Sequence, residues 1–230
     1  MKLPAPVPRH RSLSQRLGRF FLNRLRHAYY RMAESTTGSH KRDFLVTHVE
    51  EARTELEETK EQLQTTLERF SALIEFDGGS LASYYRALKR EFDRSEQKAE
   101  QVRDHIDTIE SLATALFSEW EDELELYTNR SLRGKSRQKL KLTQRHYKQL
   151  ITAMRRAESR VDPVLNAFRD QVLFLKHNLN AQAIAALQHE LNHVSVDIAA
   201  MIKAMEQSIQ QADQFIRTLE EPPALPKQSS

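Results

Sequence analysis

From Leu81 to Trp120 the seam-forming residues fall at steps that alternate between four and three: Leu81, Tyr85, Leu88, Phe92, Ser95, Ala99, Val102, Ile106, Ile109, Ala113, Leu116 and Trp120. A mean step of 3.5 keeps one narrow stripe on one side of a helix, whereas a strand would need every second residue. The segment therefore predicts a single helix over 81–127, about 70 Å long at 1.5 Å per residue. A stripe that long has to be buried against other helices.

The rest of the chain supplies them. Leu45, Val49, Ala52, Leu56, Thr59, Leu63, Leu67, Phe70 and Ile74 mark a helix over 41–75, stopped by Phe76-Asp77-Gly78-Gly79-Ser80, where glycines suit a C-terminal cap and the Ser80 hydroxyl suits the next N-terminus. Residues 128–136 read as the next break. Leu140, Tyr147, Leu150, Met154, Ala157 and Val161 begin a third helix near Arg137 that continues through Leu165, Phe168, Val172, Leu175 and Leu179. Pro163 inside it predicts a kink, with a full break as the alternative. A turn near 178–181 precedes a last stripe formed by Ile184, Leu187, Leu191, Val194, Ile198, Met201, Met205, Ala212, Phe215 and Leu219. Four helices of about 35, 47, 42 and 39 residues match well enough to pack up-down-up-down. The expected fold is all-α: an elongated, antiparallel, coiled-coil-like four-helix bundle over 41–219, with a disordered proline-containing tail over 220–230.

Charge separates the two ends of the chain. Of 35 Lys and Arg, eight lie in residues 1–31, where there is no acid; the remaining 27 face 32 carboxylates, a net of -5 for the body. Such a body is a poor phosphate-neutralising surface, so it gives little support to nucleic-acid binding. The chain has no Cys, which removes disulfides, thiolate metal sites and cysteine nucleophiles. No run approaches the roughly 18 apolar residues of a spanning helix.

Residues 1–40 form a separate basic segment: three prolines in the first eight residues, a short amphipathic helix from Ser12 or Ser14 to about Arg31, and a linker over 35–40. Leu13, Leu17, Phe20, Phe21, Leu25 and Ala28 lie broadly on one face, with arginines around the rest. Arg16, Arg19, Phe20, Phe21, Arg24 and Arg26 are the candidate contacts to an anionic membrane, each cation contributing on the order of 1 kcal/mol. A flexible leader, a cap docked on the acidic body and an organellar transit peptide are the competing readings.

Three motifs imitate catalytic sites. His189-Glu190-Leu191-Asn192-His193 has the zinc-hydrolase spacing, two imidazoles one turn apart with a carboxylate as general base. The seam through Leu187, Leu191 and Val194 puts His189 and His193 at the outward f and c positions of the heptad, without a third ligand or a cleft. Glu190 and His193 also form a Glu-x-x-His pair of the di-iron kind, but no second pair exists and the seams carry no carboxylate. Asn129 to Ser136 imitates a phosphate-binding loop, yet follows an acidic helix, Glu119 to Glu125, where such a loop needs a buried strand.

Several clustered motifs carry a family resemblance: His40-Lys41-Arg42-Asp43, Phe76-Asp77-Gly78-Gly79, Phe117-Ser118-Glu119-Trp120-Glu121-Asp122-Glu123-Leu124, Met154-Arg155-Arg156, Phe168-Arg169-Asp170-Gln171, and Leu175-Lys176-His177-Asn178-Leu179-Asn180. Over about 40 to 219 the chain resembles a bacterial family catalogued as a domain of unknown function, number twenty-nine fifty-nine. The resemblance implies no activity and no catalytic residue, and His189 and His193 stand outside its motifs. Many relatives look like envelope lipoproteins with a cysteine shortly before the counterpart of Ala28-Tyr29-Tyr30, which this chain lacks. The sequence therefore points to a non-enzymatic structural or interaction protein with no cofactor or small-molecule substrate. It would bind protein partners or copies of itself, in the bacterial cytoplasm or peripheral to the membrane. Zinc hydrolysis at 189–193 and nucleic-acid association through the basic tail are the alternatives.

Overall fold

The computed structural model describes residues 38–75, 80–178 and 180–220, apart from the side chains of 38–40, 181, 183 and 189–193. The chain divides into two units, Met1–His40 and Lys41–Ser230, and the account below concerns the second. Four long helices make up its described residues: α1 (Gly38–Ile74), α2 (Leu81–Leu126), α3 (Arg130–His177) and α4 (Ala181–Glu220). The all-α bundle expected from the periodicity is the fold.

Cross-helix contacts fix the arrangement. Lys41 meets Glu119 and Gln62 meets Glu91, so α1 and α2 run antiparallel. Arg169 meets Glu96 while Phe117 meets Tyr147, which makes α2 and α3 antiparallel. Tyr147 meets Phe215, and Arg53 meets Asp213, so α4 lies beside both α3 and α1. Phe70 and Phe168 stack edge to face at 6.0 Å, joining α1 to α3 through the core.

The buried seam of α1 is Leu45, Val49, Ala52, Leu56, Thr59, Leu63, Thr66, Phe70 and Leu73. This corrects the sequence reading at two points: Thr66 takes the place assigned to Leu67, and Leu73 is buried with Ile74. The hydroxyl explains the substitution. Thr66 Oγ1 donates to the carbonyl of Gln62, and it also lies 2.9 Å from Ser95 Oγ of α2 in a buried pair. Thr59, Thr108, Thr143 and Thr218 likewise donate to the carbonyl four residues back, so each buries a methyl group without an unmatched donor. In α4 the fully buried Ser208 completes the alternation between Met205 and Ala212.

Two boundaries and one cap differ from expectation. The linker assigned to 35–40 overlaps the first turn of α1, which starts at Gly38; residues 35–37 lie outside the described part. Ser80 is the N-cap of α2, but its side chain makes no capping bond; its carbonyl accepts from Ser83 N at 2.8 Å instead. The break assigned to 128–136 shrinks to three residues, because Asn129 Oδ1 accepts from the amides of Ser131 and Leu132 and starts α3 at Arg130. Helix α3 then runs unbroken through Pro163, which excludes the full break. Pro163 is on the exposed side, so the carbonyl of Ser159 that it deprives of a donor belongs to the solvent face. At the other turn, Asn178 caps α3 with its N–H on Leu175 O and its side chain on Phe174 O. The tail expected to be disordered lies outside the described residues beyond Glu220.

Candidate functional site

With the buried seam of α2 set at heptad positions a and d, its two flanks carry residues at intervals of seven. One flank (91, 98, 105, 112, 119) faces α1, and the other (96, 103, 110, 117) faces α3, as e and g positions do in packed helix pairs. On the α1 flank, Lys41 pairs with Glu119 at 3.0 Å, Lys98 with Glu55 at 3.0 Å and with Glu58, and Gln62 Nε2 donates to Glu91 at 3.0 Å. Glu58 and then Glu55 hold the Lys98 ammonium above its ordinary pKa. The bond from Gln62, helped by Arg94, holds the Glu91 carboxyl below the usual range.

The α3 flank is denser. Arg155 reaches Asp107 at 2.7 Å, Glu158 at 2.8 Å, and Glu110 through two of its nitrogens. Its bond to Glu110 is the main cause that raises its pKa, with Glu158 and Asp107 adding to it and burial opposing. Arg103 bridges Glu100, Glu158 and Asp162, and Arg169 bridges Glu96 and Asn166.

At the end of the bundle holding the α2–α3 turn, the ring of Phe117 meets Tyr147 at 5.3 Å, and Tyr147 meets Phe215 at 6.2 Å. Burial, with a contribution from Glu110, pushes the Tyr147 phenol up to about 12. Trp120 donates its indole N–H to Ser136 at 2.9 Å and lies under the Arg42 guanidinium, 5.6 Å from the ring centroid. Thr218 Oγ1 lies between Gln214 O at 2.9 Å and His146 Nδ1 at 2.5 Å, tying α3 to α4. These contacts give the sequence motifs a physical role: Lys41 and Arg42, Phe117 and Trp120, Arg155, and Phe168 and Arg169 each fasten one helix to another.

A groove of about 570 Å³ between α3 and α4 breaks this pattern. Arg145, Lys148 and Arg156 line one side; Gln207, Gln210 and Gln211 line the other, with no carboxylate in the lining. The three cations are exposed, and among the described residues none has an ion-pair partner. The same condition with opposite sign holds for Asp122 and Glu123, exposed near the end of α2. Sequence reading missed the groove because it depends on which helix faces which. The available signal was the run of glutamines at 207, 210 and 211 where a heptad flank would otherwise carry acids.

The candidate site residues named from the sequence fall outside the described part. Arg16, Arg19, Phe20, Phe21, Arg24 and Arg26 lie outside the described residues. His189, Glu190 and His193 fall within α4, but their side chains lie outside the described part. The phosphate-loop imitation has no loop: residues 130–136 are helix, and Gly134 is one of its exposed positions.

No curated protein matches the chain. A family model, described as a protein of unknown function, matches residues 29–219, most of the 230 residues, so the chain belongs to the DUF2959 family.

Proposed function

We propose that the protein is a non-enzymatic interaction bundle whose first partner is a second copy of itself, and that its basic N-terminal segment brings it to anionic membrane surfaces. The supporting observation is the α3–α4 groove: three exposed cations without ion-pair partners among the described residues, on a body whose net charge is negative. Asp122 and Glu123 of another copy supply the complementary charge. Because the two patches differ, the contact is heterologous and can propagate beyond a pair.

Sedimentation velocity on the full chain tests this. At low salt the sedimenting mass should rise with concentration, and about 0.5 M salt should reverse it by screening exposed charges. Asp122→Lys with Glu123→Lys should abolish the association, as should Lys148→Glu with Arg156→Glu, and mixing the two variants should restore it. A chain that stays monomeric at low salt, or variants that fail to complement, would overturn the self-association.

Membrane contact has its own test, supported by the acid-free run of arginines and large apolar residues before residue 32. Vesicles rich in phosphatidylserine should pellet the full chain and not a chain lacking residues 1–31, with release by salt. Equal behaviour of the two removes the membrane role. Salt-sensitive binding of duplex DNA through the same segment would instead favour the nucleic-acid alternative.

A further inference from the structure

One rung of the α1–α2 flank differs from the others. Where the rungs at 91, 98 and 119 pair Gln with Glu or Lys with Glu, and position 112 is a buried leucine, this one brings together His48 and Glu51 of α1 with His105 of α2. His48 and Glu51 are three residues apart and share a helix face. His105 enters from the antiparallel neighbour at the heptad position that holds Lys98 one repeat earlier. His48 Nδ1 is 2.8 Å from Glu51 Oε2, and His105 Nδ1 is 3.8 Å from the same oxygen. One ligand atom from each of the three residues lies within 4.8 Å of the other two. No Lys or Arg among the described residues pairs with Glu51, so its carboxylate is directed at the two imidazoles alone.

We infer that His48, Glu51 and His105 form a binding site for a divalent transition metal of the zinc class. Two imidazoles and a carboxylate are a donor set that suits Zn²⁺ and its neighbours better than the oxygen-seeking Ca²⁺ or Mg²⁺. With metal–ligand bonds of about 2.0–2.1 Å, donor atoms around a tetrahedral ion are about 3.3 Å apart. The two histidine–carboxylate distances of 2.8 and 3.8 Å bracket that value, and the two imidazole donors lie within 4.8 Å of each other, so small rotations of these surface side chains suffice to close the set on one ion. Coordination through Nδ1 uses the neutral imidazole with its proton on Nε2. The three protein ligands leave one position for water or for a donor from a partner. Because the ligands come from two helices, the ion also fastens α1 to α2 at a rung that has no Lys or Arg.

Isothermal titration of the full chain with zinc chloride, in a buffer that does not chelate, tests the site. One zinc per chain should bind, and saturation should raise the melting midpoint by about 5–10 °C, the shift expected for a ligand at roughly a hundred times its Kd on a domain of this size. His105→Ala and Glu51→Gln should each weaken binding at least tenfold while melting normally without metal. A variant with both His189→Ala and His193→Ala should bind as the unaltered chain does, which separates this site from the motif in α4. No binding by the unaltered chain overturns the inference. So does binding that survives His105→Ala and Glu51→Gln, or binding lost with His189 and His193.

Discussion

Arg155 and Arg156 are adjacent in one motif, yet they meet opposite fates. Arg155 turns toward α2, where Asp107 and Glu110 await it and Glu158 of its own helix completes the set. Arg156 turns toward α4, which offers Gln207, Gln210 and Gln211, and remains exposed without an ion-pair partner among the described residues. Two grooves of one bundle thus treat the same side chain differently: the α2–α3 groove satisfies its charges internally, whereas the α3–α4 groove leaves them available. The lesson is that charge density alone does not identify an interaction surface. What distinguishes the two is whether the facing helix supplies the counter-charge.

If the apolar seam holds the bundle, both arginines act on top of it. The largest expected effect tests that assumption. Phe168 is fully buried and meets Phe70 edge to face across the core, so Phe168→Ala should cost about 3–5 kcal/mol in chemical unfolding, through lost burial and the cavity left behind. Next in size is Arg155→Met. Its guanidinium side chain is 36% exposed and its partners are partly solvated, so the loss should be about 1 kcal/mol despite the number of bonds. The gap from the unaltered chain should narrow in 1 M salt, where the screening length falls to about 3 Å. Arg155→Lys should not recover it fully, since one ammonium cannot reproduce the planar fork that reaches three carboxylates. An Arg155→Met loss as large as that of Phe168→Ala would mean that the ion network contributes as much to the bundle's stability as its apolar core.

How much of this was legible in the sequence follows from the same physics. The seam of α2 was readable from its sequence because nearly every a and d position is apolar, and the structure keeps it buried from Leu88 to Leu116. The seam of α1 was misread at Thr66 because an apolar residue, Leu67, follows it directly and draws the stripe one position along, whereas Thr59 lies between Glu58 and Lys60 and has no such competitor. Keeping the strict alternation after Leu63 would have found Thr66, and after Met205 it would have found Ser208. The α2–α3 turn was placed too far along because Gly134 and Ser136 look like breakers, while the feature that starts the helix is the capping side chain of Asn129. The flanks and the His48–Glu51–His105 rung were out of reach for another reason: they require the antiparallel register between helices, which no single stripe encodes.

The smallest expected effect on stability is the one that most sharpens the comparison. Arg156→Gln removes a charge from an exposed position that has no ion-pair partner among the described residues, so unfolding should shift by no more than about 0.5 kcal/mol in either direction. The gap between Arg155→Met and Arg156→Gln would then measure internal satisfaction of charge at two neighbouring residues of one helix. Self-association should respond in the reverse order. Arg156→Gln should weaken the low-salt increase in sedimenting mass, because the groove loses one of its three cations, while Arg155→Met should leave the association intact as long as the bundle is folded. If Arg156→Gln instead destabilises the chain as much as Arg155→Met, the groove has an internal partner and is not free to bind. If both variants associate equally well, the groove is not the contact surface, and the unpaired cations reflect only tolerance of charge at a solvated helix face.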